Sequence, residues 1–289
     1  MTTVYLNGQL LPLEAANISV MDRGFLFGDG IYEVIPVFGG RCFRLEEHLD
    51  RLDYSLRETR IPQPHSRAQW LEIFTSLIDA LQSEQHAPDQ MIYLQITRGP
   101  APLREHRFPP DMKPTVFAFS KALPPPNQQL PAAIACVTCA DIRWSRCDIK
   151  SISLLANVLM TQDALDVGGR EAILIRDDQV LEGASSNVFI VLDGILHTAP
   201  KDHRILAGIT RDLIVDLCAE HGEKIRQQTV AAADLERASE IWITSSTREM
   251  LPVTTLNGKP VGNGEIGPVF ARLWQWYLGF RQRMNTQTA

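Results

Sequence analysis

What the sequence lacks narrows its role first. Nowhere do roughly 18 to 20 apolar residues follow one another, the length a helix needs to span a bilayer. There is no surplus of basic residues: 28 Lys and Arg stand against 34 Asp and Glu, a formal net charge of −6. Such a balance gives neither nucleic acid nor an anionic membrane an electrostatic footing. The N-terminal MTTVYLNGQLLPLE has neither the basic start nor the long apolar run of a secretory signal, which makes the cytoplasm the default expectation. A dinucleotide fingerprint is missing too, because FGDGIYEV has Gly28 and Gly30 but Glu33 where the third glycine belongs. The five cysteines include one C-x-x-C, Cys136 and Cys139, set in the alternating stretch AAIACVTCADI. Residues three apart on a strand face opposite ways, and no second Cys or His pair follows at knuckle spacing. These read as ordinary thiols, with no metal site.

With 45% hydrophobic and 21% charged residues, the 289-residue chain has an ordinary globular composition and the length for two compact units. Proline is concentrated in ALPPPNQQLP, Ala122 to Pro131, with four prolines in ten residues. This points to an N-terminal unit over 1–120, a connector over 121–131 and a C-terminal unit over 132–289. The first unit reads as a hairpin turning at Asn7-Gly8, helices over about Leu45–Arg60 and Ser66–Leu81, and the strands MIYLQITRG and PTVFAFS, an α/β sandwich. The second alternates short strands (EAILIR, NVFIVL, EIWITS) with helices near Ser153–Asp166 and Thr210–Glu220, then ends in an amphipathic helix around Phe270. Short strands with tight turns predict a closed or half-closed mixed sheet. No internal repeat and no low-complexity segment interrupts this pattern.

Lys150, in RWSRCDIKS, lies between an apparent strand and a helix whose Leu155, Val158, Leu159 and Leu165 fall at packing spacing. That spacing predicts a fixed backbone beside the lysine. A partly desolvated amine there could attack a carbonyl. From this stretch alone, a solvated lysine is the simpler reading. VLEGASSNVF adds Glu182 at a strand end, followed by Gly183, Ala184, Ser185 and Ser186, small enough for a flat heterocycle to lie against the backbone. A carboxylate beside the ring nitrogen would keep it protonated and make the ring an electron sink. The alternative is a polar turn capped by Asn187.

Two places suit a phosphate. LAGITRDL puts Gly208, Ile209 and Thr210 at a helix start, where unpaired N–H groups favour an anion. ITSSTREM leaves a strand with Thr244, Ser245, Ser246 and Thr247 in succession, and Arg51 could add a cationic donor from the first unit. Finally, ITRGPAPLREHRFP concentrates Arg98, Arg104, His106 and Arg107 in one loop, suited to a carboxylate, or else simply solvated.

Taken together, DRGFLFGDGIYEV, EEHLDRL, RWSRCDIKS, LEGASSNVF, LAGITRDL and ITSSTRE resemble, in order and spacing, the fold-type IV pyridoxal-phosphate enzymes, over nearly the whole chain. GDGIYEV joined to LREHRFP resembles the D-amino-acid transaminase branch of that family. The resemblance implies a two-domain α/β fold, a small N-terminal sandwich followed by a larger cofactor domain built on a pseudo-barrel sheet. It implies pyridoxal 5'-phosphate on Lys150 as a Schiff base, with Glu182 at the pyridine nitrogen. Arg51, the Ile209 and Thr210 amides and Ser246 would hold the phosphate. Tyr32, Arg104 and His106 would trap the substrate carboxylate, the last two from the other subunit of a homodimer. Arg143, Ser186 and Arg248 would stand around these groups; Arg248 would either crowd the substrate entrance or add an anion contact. The implied activity is ping-pong transamination between a D-amino acid, D-alanine or similar, and a 2-oxo acid. The rivals are a branched-chain L-amino acid transaminase, an aminodeoxychorismate lyase of the same fold, and a non-enzymatic binding module that leaves Lys150 and Glu182 without roles.

Overall fold

A computed structural model describes residues 2–124 and 128–286. The chain divides into two compact units, one of Met1–Pro126 with Ile149–Leu154, the other of Asn127–Asp148 with Leu155–Ala289. Of the proline-rich connector, Pro125, Pro126 and Asn127 lie outside the described residues.

The first unit contains β1 (Thr3–Leu6), β2 (Gln9–Pro12), α1 (Arg23–Phe27), β3 (Gly30–Phe38), β4 (Arg41–Cys42), α2 (Leu45–Thr59), α3 (Arg67–Gln85), β5 (Gln90–Thr97) and β6 (Thr115–Ala122). Its six strands pair in the order β2-β1-β6-β5-β3-β4, antiparallel throughout. The β1–β2 turn uses Asn7 and Gly8, both at positive φ (49° and 96°), the geometry a two-residue hairpin needs. Ser66, expected inside α3, is its cap: its side chain accepts from the Gln69 N–H while the Gln69 side chain reaches back to the Ser66 N–H, a capping box. Leu49, Leu52 and Leu56 of α2 and Trp70, Phe74 and Leu77 of α3 bury against alternate residues of the sheet, Ile31 and Ile35 on β3 and Ile92, Leu94 and Ile96 on β5. Period-2 alternation puts Glu33 on that same covered face and Tyr32 on the opposite one.

The segment 149–154 packs as part of this unit. The Tyr32 N–H donates to the Lys150 carbonyl at 2.9 Å, the Ile152 N–H donates to the Gly30 carbonyl at 3.0 Å, and Ile31 bridges to Ser151. Lys150 is therefore fixed by pairing along β3. The residues expected to fix it through helix packing, Leu155, Val158, Leu159 and Leu165, are exposed.

The second unit contains β7 (Ile134–Ala140), α4 (Leu155–Asp166), β8 (Glu171–Arg176), β9 (Gln179–Gly183), β10 (Asn187–Leu192), β11 (Ile195–Thr198), α5 (Ile209–His221), β12 (Ile225–Gln227), β13 (Val230–Ala231), β14 (Glu240–Ser245), β15 (Glu249–Leu256), β16 (Lys259–Pro260) and α6 (Pro268–Thr286). Strands β10-β14-β15-β7-β8-β9 run side by side, and β9 meets β10 again at Glu182↔Asn187, so the mixed sheet closes on itself as a pseudo-barrel. Ile173, Val180, Val188, Ile190, Ile241, Ile243 and Val253 form its apolar core. Trp242, Phe270, Trp274 and Tyr277 form a run of aromatic contacts that seats α6 on β14. In α4 it is Met160 and Ala164 that bury, against Ala172, Leu174 and Ala184. Leu155, Val158, Leu159 and Leu165, expected at the packed face, are exposed. Apolar spacing marks a stripe on a helix but does not say what covers it. No helix among the described residues is long and apolar enough to cross a membrane.

Candidate functional site

Two clusters of polar groups stand out, one in each unit. In the first, Lys150 is half-buried, with its Nζ 4.2 Å from the centre of the Tyr32 ring and its backbone N–H donating to Ser55 Oγ at 3.3 Å. Behind β3, the fully buried Glu33 accepts from Arg51 Nε at 2.7 Å and Arg51 Nη2 at 2.8 Å, and faces His48 Nδ1 at 2.9 Å. Burial alone would raise the Glu33 carboxyl, but the Arg51 charge and the bonds from Arg51 and His48 hold it well below the usual carboxylate range. Burial holds His48 below its ordinary value, so the ring is neutral near pH 7. The contact to Glu33 assigns its proton to Nδ1 and leaves the buried Nε2 without a hydrogen-bond partner among the described residues. Arg104 and His106 lie in the exposed loop after β5, both against the ring of Phe27.

In the second unit, Glu182 sits at the seam of the barrel. Its carboxylate accepts from Arg143 Nη1, from Asn187 Nδ2 at 3.0 Å and from the Leu206 N–H at 3.0 Å. Burial pushes the Glu182 carboxyl up to about 7, against the downward pull of Arg143. Burial also works against the Arg143 cation, but Asp141 (Nε–Oδ1 2.9 Å) and Glu182 favour it more, so Arg143 lies above its ordinary value. Both shifts are upward, so across one contact the Glu182 shift favours its neutral form and the Arg143 shift its charged form. The upward shift of Glu182 follows from its complete burial and from Asp141 nearby, which repels its charge.

Asn187, read from sequence as a turn cap, is instead a bridge: its amide donates to Glu182 and to the Leu206 carbonyl (2.9 Å), and its Oδ1 lies where a Cβ on Gly208 would stand, 1.9 Å away. Gly208 thus opens α5 without a side chain and without a side-chain cap, leaving the first-turn N–H groups of Ile209 and Thr210 without helical partners. The Thr210 hydroxyl donates to the Ser245 carbonyl at 3.3 Å, tying α5 to the turn that carries Ser246. Nearby, the wholly buried Glu171 accepts from Ser185 Oγ (2.8 Å), Ser186 Oγ (3.3 Å) and Arg248 Nη2 (2.5 Å). Arg248, expected either at an entrance or on an anion, is engaged by that carboxylate and by Ser185 Oγ at 2.7 Å. Glu171 was invisible in the sequence, because a glutamate opening a strand reads as an exposed end.

These groups fit a phosphorylated, nitrogen-containing ring. The uncapped α5 start and the Ser246 turn suit the phosphate, and Glu182 suits a ring N–H. The backbone at Gly183 is bare, since a Cβ there would meet Ser186 Oγ at 2.1 Å. Cys136 and Cys139 lie on one strand, the first buried and the second partly exposed, and no group of metal-binding side chains occurs among the described residues.

A D-alanine aminotransferase of Bacillus licheniformis is 39% identical over 266 residues, 92% of each chain. A D-alanine aminotransferase of Staphylococcus haemolyticus is 36% identical across the whole of both chains. The branched-chain amino acid aminotransferase of Escherichia coli superposes with a TM-score of 0.85 at 26% identity, over 96% of this chain and 94% of that one. The profile of the amino-transferase class IV family matches residues 30–256, from the first residue of β3 to the last of β15. That span takes in Lys150, Glu182 and the phosphate-suited helix start, and the chain belongs to the class IV aminotransferases, enzymes that work with pyridoxal 5'-phosphate.

Proposed function

We propose that this aminotransferase exchanges the amino group of a D-amino acid, D-alanine or similar, with a 2-oxo acid, and works as a homodimer. The observation that carries the reading is the length and degree of likeness to D-alanine aminotransferases, 36–39% identity over at least 92% of the chain. Arg104 and His106 side by side on Phe27 support it, as N–H donors suited to an α-carboxylate.

In this reading Arg51, the Ile209 and Thr210 N–H groups and Ser246 hold the cofactor phosphate. Glu182 faces the ring nitrogen, where an approaching N–H cation would add to the positive charge that Arg143 divides between Glu182 and Asp141. Bound pyridoxal phosphate provides the electron sink that makes the substrate α-proton removable. Lys150 would hold the cofactor through its Nζ, and the same amine, when free, would be the base that takes the substrate α-proton and the acid that gives it back. Tyr32, Arg104 and His106 hold the carboxylate, with Arg104 and His106 supplied by the partner subunit. Arg143 keeps Glu182 aimed, and Ser186 and Arg248 brace the adjoining turns through Glu171. Two half-reactions follow in ping-pong order: one amino acid leaves as its 2-oxo acid, and a second 2-oxo acid leaves aminated.

A branched-chain reading draws on the likeness to the Escherichia coli enzyme. Paired assays decide between them: D-alanine and L-leucine, each with a 2-oxo acid acceptor, on the unaltered protein and on Arg104→Ala. D-alanine is expected to turn over faster, and Arg104→Ala to raise its KM roughly tenfold or more with a smaller change in kcat. L-leucine turning over as fast as D-alanine would reject the reading.

A further inference from the structure

We propose that Phe27 is a positioning residue for the carboxylate-binding pair, setting the aim of Arg104 and His106 without using any of their hydrogen-bond donors. The inference rests on the reading of those two residues as substrate-carboxylate groups. The Arg104 guanidinium carbon lies 4.8 Å from the centre of the Phe27 ring, and the His106 imidazole centre lies 5.4 Å from it at a 59° tilt. Among the described residues, neither side chain has a hydrogen-bonding or ionic partner, and both are exposed. A guanidinium held by a carboxylate would have spent its donors. One held over a ring face keeps its in-plane N–H fork open for a ligand carboxylate.

Phe27 is itself well fixed. It ends α1, whose first turn is capped by the Asp22 carboxylate accepting the Gly24 N–H at 2.8 Å. The helix stops at Gly28, where φ is 66° and a Cβ would meet Ser153 Oγ at 2.7 Å, so only glycine ends it there without strain. The main chain of the loop is held by the same helix. The buried Arg23, paired with Asp29 (Nε–Oδ2 2.7 Å), donates from Nη1 to the Glu105 carbonyl at 2.5 Å and from Nη2 to the His106 carbonyl at 3.3 Å. Its own guanidinium carbon lies 4.8 Å from the Phe27 ring centre. Arg98 shares Asp29 (Nη2–Oδ1 2.9 Å), and its guanidinium carbon is 3.7 Å from the ring centre of Phe108, further along the same loop. The backbone of the loop is thus pinned by Arg23, and the two side chains it presents are oriented by Phe27. Pre-orienting a rotamer-rich arginine lowers the ordering cost of binding.

The test compares Phe27→Leu and Phe27→Tyr, with cofactor absorbance and melting temperature measured alongside. Phe27→Leu removes the ring face and should raise the KM for D-alanine by about three- to tenfold with kcat within about twofold. Phe27→Tyr keeps the face and should restore the KM to near the unaltered value. Ethylamine, which has no carboxylate, should bind all three proteins alike. In selectively labelled cofactor-free protein, the His106 ring protons should resonate away from free-imidazole positions, and Phe27→Leu should return them toward those positions. Equal losses for D-alanine and ethylamine, no rescue by tyrosine, or free-imidazole shifts in the unaltered protein would each overturn the proposal. If Arg104→Ala raises the KM and Phe27→Leu does not, the carboxylate reading stands and the role of Phe27 falls. A KM unmoved by Arg104→Ala would remove the carboxylate reading, and this inference with it.

Discussion

Glu33 and Glu182 are the same residue type, each fully buried and each against an arginine, yet the protein moves their acidities in opposite directions. Burial raises both. At Glu33, Arg51 binds both carboxylate oxygens and His48 adds a third contact, enough to push the group far down. At Glu182, Arg143 divides its guanidinium between that carboxylate and Asp141, and Asp141 adds repulsion, so burial wins and the group rises to about 7. Burial is similar in the two places; the number of cationic contacts each carboxylate receives is not. Glu33 is held as an anion by Arg51 and His48 and ties α2 to the sheet, whereas Glu182 gains from a further positive partner.

Breaking the Glu33–Arg51 contact should have the largest effect. Glu33→Gln removes the counter-charge from Arg51 in a buried site, a change that typically costs about 3–5 kcal/mol. Denaturant titration should show that loss, and a midpoint within error of the unaltered protein would mean that the pair contributes little. Next comes Glu182→Gln, which keeps shape but removes the charge facing the ring nitrogen. The rate is expected to fall roughly 100-fold while cofactor retention changes little. Single-turnover rates beside an equilibrium cofactor titration separate the two effects.

The pH dependence of the cofactor-free protein gives a smaller and sharper contrast. Glu182 titrates near 7 when folded against an ordinary 4.5, so the folded state binds more protons in between. Its contribution to stability is therefore present below about 4.5 and lost as pH rises toward 7. Glu33 and Asp29 are depressed, and their contributions are lost only as pH falls below the ordinary carboxylate range. His48, held low, adds stability as pH rises, so the measurement is a difference: melting temperatures of the unaltered protein minus those of Glu182→Gln, from pH 4.5 to 8. A flat difference would contradict the raised carboxyl. The smallest effect is expected at the thiols. Burial pushes Cys42, Cys136 and Cys218 up to about 12, so iodoacetamide at pH 8 should leave these three unlabelled in the folded protein, as peptide mass spectrometry would report.

Much of the architecture was legible residue by residue. Asn7-Gly8 gave the hairpin, the expected helix start near Ser66 falls within a residue of that of α3, and Gly208-Ile209-Thr210 gave an α5 start without a side-chain cap. Each is a local signal, complete within a few residues. The failures share the opposite trait. Lys150 is fixed by β3, which lies more than a hundred residues earlier, and nothing in DIKS announces a bridge between Ser151 and Ile31. The apolar residues of α4 suggested a packed face, yet Leu155 and Val158 are exposed while Met160 and Ala164 do the packing. Glu171, Asp141 and Asn187 form the support around Glu182 and Arg248, and each read in sequence as a strand end or a turn.

The sequence by itself determined the family, because six short motifs in order over the length of the chain specify it more tightly than any one of them, and it determined which residues are chemically able to act. Only the tertiary structure decided how those residues behave. Two glutamates differ in acidity because one arginine binds both oxygens of its carboxylate and another is shared with a second carboxylate, and Arg104 and His106 meet on one ring because Phe27 of α1 lies against both. Charge, burial and aim depend on distances between groups far apart in the chain, and those distances exist only after folding.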